Sequence, residues 1–244
     1  MGWIASYDLT KDVKYLNTAK DIFHDMTGGW STPCKGGIWW DKKKTSIAAI
    51  SNELFISVAA HLANRVPANE KEEYVRWASM GWDWFWLSGV INKDNLVNDG
   101  LDTKTCKNDG KTTYTYNQGV ILGALSEIAR AKGDGGYIQH AYALARGSMS
   151  KLSQNGILTE PVERLDEQGA MFKGVLVRGL ATLHANEPQK DFADWLKKNA
   201  DSVWNKDRNQ EGLLGPKWQG GGPDGPSVTS HAAGIDALVA AAAA

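Results

Sequence analysis

Apolar residues return at helical intervals in four segments. Tyr15-Leu16 is followed by Ala19, Tyr74-Val75 by Ala78, Tyr137-Ile138 by Ala141 and Phe192-Ala193 by Leu196, so each second anchor lies one turn on. The leading aromatics are 59, 63 and 55 residues apart. Tyr15, Ala19, Ile22, Phe23 and Met26 make one stripe, and Phe192, Trp195, Leu196 and Val203 make another, with Lys and Asp opposite. These patterns predict amphipathic helices with one wet side. Asn69, with Glu72 three residues later, reads as a capping box for the second of them. Between the four lie segments apolar nearly all round, over about residues 45–65, 117–132, 168–185 and 228–243. A helix of that kind is buried. Met1 to Tyr7 reads as the trailing half of one more. No strand alternation stands out.

The connections are unequal. Those entering the apolar helices (27–44, 89–116, 154–167 and 206–227) are long and rich in Gly, Asn, Asp and aromatics. Those leaving them are short, such as Val66-Pro67-Ala68. Binding groups concentrate in long loops held by a rigid scaffold. The period is too long for small helical solenoids and fits helix pairs set round a ring. The expectation is an all-α fold, a single toroidal domain over residues 1–244 that lacks roughly its first three helices. A ring left open would bare apolar flanks, which predicts self-association.

Charge narrows the partners. With 27 basic and 28 acidic residues the chain is nearly neutral, which argues against nucleic acid or an anionic membrane surface. No apolar run is long enough for a membrane span, the Ala-rich tail included. No signal peptide is visible at Met1. The two cysteines, Cys34 and Cys106, cannot make a structural zinc site, and no histidine sits at ligand spacing. A disulfide and two free thiols are both open. The loops that carry them occupy equivalent places in the repeat, which favours the disulfide and with it a secreted protein. No cofactor motif is present.

Thr113 to Gly119, with Tyr114, Tyr116, Asn117 and Gln118, runs straight into an apolar helix. Flat rings beside amides suit a sugar, whose C–H faces rest on rings while its hydroxyls bond to amides. Amides that merely cap the helix are the alternative. Eleven tryptophans add further stacking surfaces. Trp39-Trp40 is one; on an extended segment the two would point opposite ways, so one at most would face a cleft. Trp218 is a second cleft-wall candidate.

The residues also carry a resemblance. Tyr7-Asp8-Leu9-Thr10, Gly36-Gly37-Ile38-Trp39-Trp40, Ile50-Ser51-Asn52-Glu53-Leu54-Phe55, Tyr114 to Val120, Gly156-Ile157-Leu158 and Phe172-Lys173-Gly174 follow one another in the order and spacing of glycoside hydrolase family 76. The chain resembles its fungal branch, given the paired cysteines. The resemblance implies an (α/α)6 barrel, α-1,6-linked mannan as ligand, endo-α-1,6-mannosidase activity, and a secreted or cell-wall location. It also implies a pair of adjacent aspartates as the catalytic groups, roughly two helical turns upstream of Met1. No Asp-Asp pair occurs in these residues. The chain is therefore expected to be impaired as written, with an incomplete sequence or a non-catalytic mannan-binding wall protein as alternatives.

Glycoside cleavage ordinarily uses two carboxyl groups. Glu53, beside Asn52 near the head of an apolar helix, is the most interesting one left. It either faces ligand or bonds a neighbouring amide. Asp99 and Asp102 sit in a turn composition, and Glu160 and Glu163 flank Pro161 and read as loop-holding. Phe172 and Lys173 put a ring and a cation together, suited to sugar hydroxyls or to an ion pair. The expected ligand-holding set is Trp39, Trp40, Asn52, Glu53, Tyr114, Tyr116, Asn117, Gln118, Phe172, Lys173 and Trp218, with no metal.

Overall fold

The computed structural model describes residues 1–162, 165–221 and 225–244. The chain forms two compact units, one made of Met1–Lys93, Val97–Lys111 and Ala124–His140, the other of Asp94–Leu96, Thr112–Gly123 and Ala141–Ala244.

In the first unit, α1 (Gly2–Thr10) leads into α2 (Val13–Thr27), followed by α3 (Ala49–Ala63) and α4 (Ala68–Leu87). Asp12 caps α2 by accepting the Lys14 N–H at 3.0 Å. The buried stripe of α2 is Leu16, Ala19 and Phe23, whereas Ile22 is exposed, so the helix is rotated from the expected face. Phe23 decides the rotation, packing on Phe55 at 5.1 Å and Tyr74 at 5.6 Å between ring centroids. As its sequence demands, α3 is buried almost throughout, with Phe55, Ile56, Ala59, Ala60 and Leu62 in the core. The expected capping box of α4 does not form. The helix starts one residue before Asn69, with Pro67 at the cap position and no side-chain cap bond. Proline has its backbone angle set by its ring, which suits this entry. Two-residue strands β1 (Ile47–Ala48) and β2 (Gly100–Leu101) pair antiparallel beside the head of α3, where the Ala49 N–H reaches the Asp99 carbonyl at 2.8 Å.

The second unit is built on the head of α5 (Thr115–Lys132), the later part of α6 (Gly136–Lys151), α7 (Phe172–Asn186), α8 (Lys190–Ser202) and α9 (Val228–Ala242). Phe192, Trp195, Leu196 and Val203 form the buried stripe expected for α8 and its extension. Ser227 and Ser230 form a reciprocal capping box on α9, and Ser230 Oγ also donates to the Leu214 carbonyl at 3.0 Å, tying the long preceding loop to that helix head. Strands β3 (Ser153–Gln154) and β4 (Ile157–Leu158) make a hairpin through Asn155 and Gly156, both at positive φ (53° and 80°). That is the backbone a two-residue hairpin turn requires, and Asn-Gly is its favoured sequence. Strands of two residues are too short to leave an alternating pattern.

Candidate functional site

In the first unit the long loop before α3 is fixed by that helix. Asn52 Oδ1 accepts the Ile38 N–H at 2.8 Å, while Asn52 Nδ2 donates to the Ile38 carbonyl at 3.2 Å and to the Ala48 carbonyl at 2.9 Å. The buried amide is thus committed to main chain, and its part is to position Trp39 and Trp40. Trp84 Nε1 donates to the Cys34 carbonyl at 2.9 Å, and a disulfide joins Cys34 to Cys106. Trp39 and Trp40 line one cleft of about 570 Å3 together with Met26, Ile38, Ser51 and Leu54. This corrects the expectation that only one of them would face it. The chain bends at Trp40, so strand alternation does not apply. Trp40 is 56 % exposed and offers most of its ring to solvent.

Glu53 does not line that cleft. Its side chain is 0 % exposed, and among the described residues neither carboxyl oxygen has a hydrogen-bond partner. Among those residues it thus bonds no amide, and its carboxyl group is closed off from solvent. Burial pushes its carboxyl well above the ordinary range, and the negative charge of Asp99 adds to the shift. Asp102 is the turn former expected, accepting from the N–H groups of Lys104 and Thr105 at 3.0 and 2.7 Å.

In the second unit three rings meet at the heads of α5 and α7. Tyr114 stacks on Tyr116 at 5.7 Å, and Tyr116 lies 4.3 Å from Phe172. All three keep part of their surface open. The amides beside them are turned inward. Gln118 Nε2 donates to the Tyr114 carbonyl at 2.9 Å, holding the tyrosine loop to the helix. Asn117 is fully buried, and both its amide atoms lack a partner among the described residues. The rings thus keep open surface, while the Gln118 amide holds main chain.

Near the head of α7 the structure assembles a charged cluster that the sequence reading did not join together. Glu160 accepts the Thr115 N–H at 2.9 Å and the Thr115 hydroxyl, so its loop-holding role stands. Burial raises its carboxyl to about 7, against the lowering effect of those bonds and of Lys173. Lys173 donates to the Pro216 carbonyl and lies 4.9 Å from the centroid of the Trp218 ring. Burial lowers its ammonium to about 8, opposed by the charges of Glu160 and Asp207. Trp218 itself is 0 % exposed, which corrects its expected place on a cleft wall. It is the platform beneath Lys173, and its carbonyl accepts from Ser202 Oγ at 2.6 Å. Glu160 and Lys173 line a second cleft, of about 440 Å3. Asp207 closes the π-helical turn Val203–Asp207 that extends α8, and no motif around it in the sequence marks it as part of a site. Glu163 lies outside the described residues.

Comparison with known proteins agrees with this architecture. Glycosyl hydrolase family 76 matches over residues 3–244. A mannan endo-1,6-alpha-mannosidase of Candida albicans is 32 % identical over 117 residues, covering 44 % of this chain and 25 % of its own length. Another from Saccharomyces cerevisiae is 26 % identical over 205 residues, 78 % of this chain and 44 % of its own. The chain thus spans between a quarter and a half of the length of these curated relatives. Among solved structures, an inactive variant of an alpha-1,6-mannanase from a Salegentibacter species, with two adjacent aspartates replaced by alanine and in complex with alpha-1,6-mannotetrose, superposes with a TM-score of 0.84. It is 26 % identical, and the match covers 98 % of this chain and 72 % of that one. The fold class is all-α, of the α/α-toroid kind these enzymes share. Matched over nearly its whole length, the chain belongs to glycosyl hydrolase family 76.

Proposed function

We propose that this chain recognises α-1,6-linked mannan, as a relative of the endo-1,6-α-mannosidases, and that these 244 residues hold the sugar without turning it over efficiently. The observation that carries the first part is the set of partly open rings on loops and helix heads: Trp39 and Trp40 around one cleft, and Tyr114, Tyr116 and Phe172 at the heads of α5 and α7. Pyranose rings present C–H faces that rest on such surfaces. The Salegentibacter relative is seen with an α-1,6-linked mannose oligomer.

The second part rests on carboxyl chemistry. A retaining glycosidase needs two carboxyl groups about 5–5.5 Å apart. The variant relative described as inactive has lost two adjacent aspartates, and no two aspartates are adjacent here. Glu53 is sealed from solvent, and Glu160 is engaged by Thr115. Asn52, Gln118 and Trp218 serve the site by holding its ring-bearing and charged residues in place. The expectation of one toroidal domain over residues 1–244 belongs to the same reading.

Secretion or a wall location also fits. A disulfide is stable in an oxidising compartment. Among the described residues no helix is long and apolar enough to cross a membrane.

Calorimetry with α-1,6-mannotriose, paired with a reducing-end assay on α-1,6-mannan, tests both parts. Binding is expected, weakened about tenfold by Tyr116→Ala, with negligible release of reducing ends. Absence of binding at millimolar ligand defeats the recognition. Robust release of reducing ends defeats the claim about turnover.

A further inference from the structure

Two opposite charges in the second unit share the wall of one cleft without joining. Glu160 is 9 % exposed and Lys173 is 2 % exposed, and both line the cleft of about 440 Å3, alongside Gln154, Thr159, Lys217 and Gln219. Their charges act on each other. In a wall this dry the attraction is poorly screened and would ordinarily close the pair. Among the described residues no ion pair joins them, because each has its own anchor. Thr115 holds Glu160 through its N–H and its hydroxyl, and Pro216 and Trp218 hold Lys173.

Among the described residues both groups keep spare capacity. An ionised carboxylate offers about four acceptor positions, of which Thr115 fills two. An ammonium has three N–H donors, of which the Pro216 carbonyl takes one. A donor and an acceptor, each fixed and each incompletely used, therefore border the same space.

We propose that this gap is a binding site for a single pyranose unit bearing two neighbouring hydroxyls, with Lys173 donating to one hydroxyl oxygen and Glu160 accepting the proton of the other. The identity of the sugar as mannose rests on the mannan reading; the assignment of a polar subsite to this pair goes past it. A neutral diol suits the cluster better than an ion does. An anion would meet the repulsion of Glu160 and Asp207, and a cation that of Lys173 and Lys217. A cis-diol, as mannose carries at its second and third carbons, sets one hydroxyl axial and its neighbour equatorial, a pair of directions that a glucose unit, with both equatorial, does not reproduce.

Calorimetry with α-1,6-mannotriose on the wild type, Glu160→Gln and Lys173→Met tests the site, with melting curves as a check on folding. Each substitution should weaken binding by about 10- to 100-fold. The double variant should lose less than the product of the two, since one sugar bridges both groups. An α-1,6-linked glucose trimer, which inverts one hydroxyl of the diol, should bind more weakly than the mannose trimer to the wild type and equally weakly to the variants. Should Lys173→Met fail to fold, the wild-type pH profile decides. Affinity should peak between about 7, where Glu160 takes up its proton, and about 8, where Lys173 loses its own. Asp207 and Lys217 are the other charged groups acting on Lys173. Wild-type binding with both variants unchanged, or with a flat pH profile, overturns the subsite and leaves mannan recognition standing. No wild-type binding at all removes the mannan reading and the subsite together.

Discussion

Glu53 is the residue whose chemistry is furthest from its appearance in the chain. Preceded by polar Ser51 and Asn52 near a helix head, it looks like a working carboxylate; in the fold it is a dry acid, unpartnered among the described residues, with Asp99 nearby. Its ordinary value is 4.5, and in the folded protein it is raised well above that. The folded state therefore keeps a proton that the unfolded state gives up, so stability falls as pH rises above about 4.5. The loss is at most about 1.4 kcal/mol per pH unit for this one group. Glu53→Gln cannot ionise and should flatten that dependence. Urea unfolding of both proteins from about pH 4.5 to 7 reads the difference, since the other raised carboxyls, Glu160, Asp207 and Asp236, are common to both. Parallel pH profiles would show that Glu53 is not the buried acid described. Nothing in the sequence distinguishes a carboxyl that meets ligand from one sealed in the core. Helix periodicity places Glu53 on a helix, and only packing decides which side is dry.

Between helices, α5 and α7 approach closely through glycine. A Cβ on Gly119 would lie 2.5 Å from Leu176 Cα and 2.7 Å from its N, and one on Gly179 would lie 2.9 Å from Gly119 Cα. These neighbours are backbone and cannot swing aside, so even a methyl group forces the helices apart. Gly119→Ala should cost about 3 kcal/mol or more, seen as a lowered urea midpoint. The same change would disturb the tyrosine loop one turn earlier, where Gln118 holds the Tyr114 carbonyl. A midpoint within error of the wild type would mean that the two helices are not in this contact. Most of the helix boundaries were legible from apolar spacing, because burial of one face is a local pattern. Gly119 was visible as part of a motif, but its reason was not, since the contact that forbids a side chain comes from residues more than 50 positions away. The buried stripe of α2 differs from the expected one for a related reason: Tyr15 and Ile22 fit a helical spacing as well as Leu16 does, and only the rings of Phe55 and Tyr74 settle which face turns in.

For the molecule as a whole, the disulfide between Cys34 and Cys106 closes a span of 72 residues and secures the loop that presents Trp39 and Trp40. Cross-links of that span restrict the unfolded chain and contribute about 2–4 kcal/mol. Reductant, or paired Cys34→Ser and Cys106→Ser changes, should lower the melting temperature and loosen binding at the Trp39–Trp40 cleft. Two titratable thiols in denatured, unreduced protein would reject the bond. The sequence by itself determined the helical class, the alternation of long and short connections, and the family, because periodicity and ordered motifs are properties of neighbours along the chain. The tertiary structure decided what each polar side chain of the motifs is for. It committed Asn52 and Gln118 to main chain, sank Trp218 beneath Lys173, and set Glu160 and Lys173 on one cleft wall without letting them close. Those outcomes depend on burial and on distances between residues remote in sequence, and a pattern read along the chain contains neither.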